Sequence, residues 1–256
     1  SSPQSTATDE LINASNAAAE SMNTGAWNAS SVPGANFNLY NGIRECNIFM
    51  QNVYSCSDPT VTQEEKDEWY WYTRWARAYY YFLMMRNYGP IFLLGDEILP
   101  YDATTESLYR PRNTWEQCVD YQCATYFKEH GKTTWTVDAE YGLPTEGAAL
   151  AVISRLKLYS ARDLYNGNSL YNTVKNPTTP DFPELSDQYL FPQTYSNEKW
   201  KEAVQAAKAV IDLGVYELHR DASDDPYANY LGITQVDWNK ELIWTTGYAS
   251  RAIIAR

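Results

Sequence analysis

The chain has 256 residues, enough to bury a sizeable core, and carries 32 acidic against 20 basic side chains for a formal charge of -12. That balance argues against nucleic-acid phosphates and anionic membrane surfaces as partners and leaves neutral ligands open. With 22 tyrosines and 9 tryptophans, rings with a polar tip stand where long charged chains are usual, a composition suited to polyhydroxylated ligands.

No apolar run reaches the ~20 residues that span a bilayer. The opening SSPQSTATDELINAS lacks the basic and apolar regions of a signal peptide. The last residues, ELIWTTGYASRAIIAR, stop straight after a strand-like run, so truncation at both ends is expected. Four cysteines (Cys46, Cys56, Cys118, Cys123) are too few for a disulfide scaffold, and no CxxC pattern suggests zinc. Cys118 and Cys123 fall about 140° apart around one predicted helix and should not bridge each other.

In chain order, a short helix is predicted around Asp9 to Met22. A loop follows, TGAWNASSVPGANFN, too rich in Gly, Asn, Ser and Pro for regular structure. NLYNGIRECNIFMQNVY spaces Leu39, Ile43, Cys46, Met50 and Val53 as an amphipathic helix. Thr62 with Glu65 forms a capping box, so the aromatic stretch WYWYTRWARAYYYFLMMRNYGP is entered as a helix and ends at Gly89-Pro90. Within it, Trp71, Trp75, Ala78, Phe82 and Met85 form one apolar stripe, and Tyr72, Ala76, Tyr79 and Leu83 its neighbour.

After a short IFLL and a Thr-rich loop, Thr114 with Gln117 caps the helix WEQCVDYQCATYFKEHG. The helix in TEGAALAVISRLKLYSARDLYNG carries Gly147, Ala148, Ala149 and Ala151, which allow a neighbouring helix to approach closely. NEKWKEAVQAAKAVIDLGVYEL is expected to be capped by Asn197 and closed by Gly214. Helices in pairs, with Trp200, Ala203 and Ala207 spaced as in the second helix of a tetratricopeptide unit, predict an all-α, tetratricopeptide-like α/α superhelix with long loops and little strand.

Catalytic signatures are missing. His130 and His219 follow polar residues near element ends and read as surface histidines, and there is no GxSxG, GxxxxGK[ST], HExxH or GxGxxG. A facing carboxylate pair of the glycosidase kind is not decided by sequence. Glu64-Glu65 and Asp224-Asp225 read as solvated faces or caps. No cofactor is called for; a structural calcium ion on scattered loop carboxylates stays open, without EF-hand spacing.

Five segments, in order, resemble the SusD/RagB family of nutrient-binding outer-membrane lipoproteins. TRWARAYYYFLMMRNYG resembles the family's arginine-aromatic helix ending in Tyr-Gly, with Arg74, Arg77, Ala78, Tyr79, Tyr80, Tyr81 and Phe82 in place. NLYNGIRECNIFM resembles the preceding helix, with Ile43 and Asn47 at its marked positions. PTEGAALAVISRLKLYSAR, WKEAVQAAKAVIDLGVYEL and NKELIWTTGY resemble the later helices and a Glu-hydrophobic-Ile-Trp strand. The match runs from about residue 37 to 248 and corresponds to the amino-terminal half of the family's usual length. Pro90 directly after Gly89 departs from the family pattern, and the lipidated cysteine is missing.

The resemblance implies one SusD-like helical domain over 1–256, with 1–36 a helix and loop before the hallmark helices and 145–214 a tetratricopeptide-like helix pair. It implies a protein on the outer face of the outer membrane, lipid-anchored at full length, that captures glycan or peptide nutrient without catalysis and delivers it to a SusC-like TonB-dependent transporter. On this reading the aromatic helix is scaffold, and Arg74 and Arg77 pair with buried carboxylates or carbonyls. The expected ligand contacts are Trp27 and Asn28, a ring for the C–H face of a pyranose beside an amide for its hydroxyls, with Asn36 in the same loop. Tyr165 and Asn166, with Asn168, in LYNGNSLYN form a second candidate. The rival readings are a peptide-capturing RagB-like protein, a helical-barrel glycoside hydrolase and a pure interaction scaffold.

Overall fold

A computed structural model describes residues 23–25, 28, 39–104, 108–126, 142–236 and 239–244. The chain divides into two units, Ser1–Tyr40 and Asn41–Arg256, and nearly all described structure belongs to the second. The helix expected at Asp9 to Met22, His130, and the end of the expected strand from Thr245 on lie outside the described residues.

Helix α1 (Leu39–Asn52) buries Ile43, Cys46, Asn47 and Met50, the periodic face read from sequence. Helix α2 (Gln63–Tyr88) starts in the expected capping box. The Glu65 N–H donates to Thr62 Oγ1 at 3.2 Å, and the Thr62 N–H donates back to the Glu65 carboxylate at 2.8 Å. It ends at Gly89, whose φ of 70° favours glycine, with the Gly89 N–H on the Met85 carbonyl at 2.9 Å.

The burial of α2 corrects the two-stripe expectation. Ala78, Phe82 and Met85 are buried as predicted, but Tyr81 and Met84, on neither stripe, are 0% exposed. Trp71, Trp75, Tyr72, Ala76, Tyr79 and Leu83 are only half-buried. The reason is that the second half of α2 is enclosed from several sides. Tyr80 lies against Gly42 of α1, Tyr121 meets Tyr81 edge-on at 5.7 Å, and the Leu94 N–H donates to the Tyr81 hydroxyl at 3.0 Å.

Arg77, 3% exposed, joins three parts of the chain. Its Nη1 donates to Asn47 Oδ1 of α1 at 2.6 Å, to the Gly95 carbonyl at 2.8 Å and to Asp96 Oδ1 at 2.6 Å. The Asn47 amide donates in turn to the carbonyls of Gly95 at 3.1 Å and Glu97 at 2.8 Å. The expected pairing therefore holds for Arg77. Arg74 departs from it: its guanidinium stacks 5.2 Å from the Trp71 ring centroid, and its buried Nε has no hydrogen-bond partner.

Helix α3 (Trp115–Tyr126) begins in a second reciprocal cap, Gln117 N–H to Thr114 Oγ1 at 3.2 Å and Thr114 N–H to Gln117 Oε1 at 2.9 Å. Helix α4 (Glu146–Ala161) is capped by Thr145, and its buried Gly147, Ala148 and Ala149 form the predicted close-approach face. Helix α5 (Glu198–Asp212) follows a long loop. Asn197 takes helical angles there and caps nothing with its side chain; Ser196 Oγ accepts from the Glu198 N–H at 3.3 Å instead. Gly214, with φ 65°, closes the helix as expected.

Of Trp200, Ala203 and Ala207, only Ala203 is buried, because α5 turns Ala203 and Ala206 toward the core. Helix α6 (Pro226–Gln235), absent from the sequence reading, is capped by Asp225 with Pro226 in its first turn. Among the described residues there is no strand; Leu242–Trp244 adopts neither helix nor strand.

Helix α2 packs on α3, α3 on α4 and α4 on α5, each on its neighbour in the chain, the pattern of an α-solenoid. One core cluster draws on all four: Ala78 and Trp75, Cys123, Ala149, Val152 and Ile153, and Ala206. The fold is all-α. Gly147 admits Tyr216, since a Cβ there would stand 1.9 Å from the Tyr216 hydroxyl oxygen and 2.6 Å from its ring.

Two outcomes are expected in urea denaturation. Arg77→Lys, whose shorter side chain ends short of the Nη1 position and its three acceptors, lowers stability by about 2–4 kcal/mol. Gly147→Ala lowers it by about 1–3 kcal/mol through displacement of Tyr216, despite the better helix propensity of alanine.

Candidate functional site

Of the loop residues expected to hold ligand, Trp27 and Asn36 lie outside the described residues, and Asn28 is exposed. The second candidate lies in the 162–197 loop between α4 and α5, where its role is visible in detail. The Asn166 amide, 2% exposed, donates to the Ala161 carbonyl at 3.1 Å and the Ser196 carbonyl at 3.0 Å. Its Oδ1 accepts from the Ser196 N–H at 2.8 Å. Asn166 thereby ties the end of α4 to the start of α5 and has no donor turned to a ligand. Asn168 Oδ1 accepts from the Leu170 N–H at 2.9 Å and caps the 3-10 turn Ser169–Tyr171.

Tyr165 belongs to a stack of rings. It lies parallel to the fully buried Trp115 with centroids 3.7 Å apart and 2° between planes. Phe191 follows at 6.0 Å, and Tyr171 lies 4.7 Å beyond it. The Trp115 indole donates to Ser160 Oγ at 3.1 Å, and burial pushes the Tyr165 hydroxyl pKa upward. Backbone pairing fixes the rest of the loop, with Trp115 N–H on the Leu190 carbonyl at 2.8 Å and Leu190 N–H on the Val174 carbonyl at 3.0 Å. Tyr165 and Asn166 therefore act as loop scaffold, and the structure does not bring them together with a free ring and amide.

Among the described residues, the rings most open to water are ones the sequence reading did not select: Tyr101 at 98% and Tyr109 at 85% exposure, with Tyr227 and Tyr230 on α6. The neighbouring prolines, in Pro100-Tyr101 and Tyr109-Arg110-Pro111, mark the first two as loop rings in sequence.

Every described carboxyl with a displaced pKa is displaced downward. The causes are hydrogen bonds, from Thr60 to Asp58, Thr62 to Glu65, Arg110 to Glu97, Thr178 to Asp187, Ser223 to Asp221 and Asn229 to Asp224. A glycosidase acid needs the opposite, a carboxyl held protonated by burial. Glu65 and Asp225 serve as helix caps. Among the described residues no group of three or more His, Cys, Asp or Glu is placed to hold a metal ion. No described helix is long and apolar enough to cross a membrane. The four cysteines are free thiols.

No family model matches the chain, and no curated protein matches it. Solved structures do. The chain is similar to BT4246, with 28% identity over 80% of this chain and 35% of that one, at a TM-score of 0.64. It is also similar to a SusD-like protein (BF3747) from Bacteroides fragilis, with 24% identity over 81% of this chain and 32% of that one, at a TM-score of 0.56. Surface glycan-binding protein A from Bacteroides uniformis shares 15% identity over 80% of this chain and 36% of that one, at a TM-score of 0.51.

The fold is that of SusD-like proteins. The arginine-aromatic helix has its place in that fold, and the chain spans about a third of the length of the solved structures it matches.

If Tyr165 is scaffold, Tyr165→Phe changes stability by less than about 0.5 kcal/mol, whereas Tyr165→Ala costs about 2–4 kcal/mol by removing the stack on Trp115. Thermal unfolding followed by circular dichroism checks both.

Proposed function

We propose that the protein captures oligosaccharide or polysaccharide at the bacterial cell surface, without chemical change, and passes it to a SusC-like TonB-dependent transporter. The SusD-like fold carries this reading, because the solved proteins that share it include one named as a surface glycan-binding protein. The acidic charge and the wealth of rings agree with a neutral, hydroxyl-rich ligand. The carboxyls whose pKa is displaced are displaced downward, the opposite of what a glycosidase acid needs.

In this reading Trp27 stacks on a sugar face while Asn28 and Asn36 take its hydroxyls. The protein is lipid-anchored on the outer face of the outer membrane, and no cofactor takes part. Affinity for one site is modest, since hydrogen bonds that compete with water contribute only ~0.5–1.5 kcal/mol each. Binding to polymers is stronger through repeated engagement.

Affinity electrophoresis through native gels containing amylopectin, xyloglucan, arabinoxylan, galactomannan or pectin tests the reading. Retardation by one of these glycans, lost in Trp27→Ala with the fold intact by circular dichroism, is the expected result. Migration unchanged in every gel, together with saturable binding of short peptides by calorimetry, would replace glycan with peptide as the cargo.

A further inference from the structure

The segment between α2 and α3 is fastened at its base. The Asn113 N–H donates to the Ile91 carbonyl at 2.9 Å, and Asn113 Oδ1 accepts from the Leu93 N–H at 2.9 Å. One step further out, Arg110 grips Glu97 with both arms of its guanidinium, Nη1 to Oε2 and Nη2 to Oε1, each at 2.6 Å. The same guanidinium lies 5.7 Å from the Phe182 ring centroid, so the neck also leans on the α4–α5 loop.

Beyond this neck the side chains change character. Tyr101 is 98% and Tyr109 85% exposed, although most tyrosines of α2 are at least half-buried. Scattered exposed rings are ordinary. Two almost bare rings on one loop, each close to the clamp, are a different arrangement. Tyr109 adjoins Arg110, and Tyr101 is four residues from Glu97, no more than ~14 Å of extended chain.

Prolines limit the backbone beside both rings. Pro100 precedes Tyr101 in a turn whose Ala103 N–H donates to the Pro100 carbonyl at 3.2 Å, and Pro111, buried, follows Arg110. The rings are thus presented from a braced mount and lose little freedom on meeting a ligand.

We propose that Tyr101 and Tyr109 form a carbohydrate-contacting platform, distinct from the Trp27 loop, on which two sugar units of one chain rest. This rests on the glycan-capture reading above. The chemistry fits that ligand class. An exposed phenol offers an apolar face for sugar C–H groups and a hydroxyl that both donates and accepts. Asp102 is exposed beside the first ring, and the Arg110 charge is answered by Glu97. Glu97 and Arg110 are positioning residues: they hold the mount and do not touch the sugar.

The test uses the same polysaccharide gels, with calorimetry against oligosaccharides cut from whichever polymer retards the wild type. Tyr101→Ala/Tyr109→Ala is expected to weaken binding roughly tenfold or more, with unchanged circular dichroism because both side chains are in water. Tyr227→Ala, at a ring 71% exposed on α6, is expected to bind as wild type. Glu97→Gln, which loosens the neck but keeps both rings, should give an intermediate loss. Wild-type affinity in the double tyrosine variant overturns the platform and leaves glycan capture standing. Absence of retardation of the wild type by any polymer overturns both.

Discussion

A single buried cation organises the front of this molecule. Taking the Arg77 guanidinium out of water is costly unless it is paired, and its Nη1 is met by groups from two other segments, Asn47 of α1 and Gly95 with Asp96 after α2, while its buried Nε has no partner. The arginine can be buried only when α1 and the 91–97 segment are in their native places. Asn47 closes the arrangement by taking two carbonyls of that same segment. Asp96 presents 80% of its side chain to water, so the node spans from the core to the surface and fixes where the chain leaves the body after Glu97.

The aromatic wealth divides into two uses. On α2, Trp75 and Tyr79 stack at 5.1 Å and meet the edge of Trp244 at 4.8 and 5.2 Å, so the densest run of rings is joinery between distant segments. The Trp115–Tyr165–Phe191–Tyr171 series does the same for the α4–α5 loop. Among the described residues the most exposed rings are Tyr101 and Tyr109, between α2 and α3, and Tyr227 and Tyr230 on α6. A count of rings thus says little about binding; their exposure decides.

Much of this was legible in the residues. Reciprocal caps at Thr62 and Thr114, the Gly89 and Gly214 stops and the small face of α4 are local signals, and each was met in the structure. Helix α6 escaped notice although Asp225-Pro226 announced it, because Tyr227, Tyr230 and Ile233 are exposed and leave no apolar period to detect. The role of Asn166 was illegible for another reason. Its partners include backbone groups of Ser196, 30 residues away, and Asn-Gly in sequence speaks only of a turn. Tyr81 and Met84 were missed because enclosure by several neighbours is a tertiary fact, invisible to a periodicity drawn for one face.

The cysteines illustrate how burial sets chemistry. Desolvation raises the Cys46 thiol to about 11 and the Cys118 thiol to about 12, and pushes Cys123 the same way; the reactive species is the thiolate, which these sites disfavour. Cys56 alone is exposed, just past the turn Val53–Ser55, with its carbonyl taken by Lys66 at 2.7 Å. This chain thus offers one exposed thiol to a maleimide dye, on a short anchored connector, while its three other thiols are held back by burial.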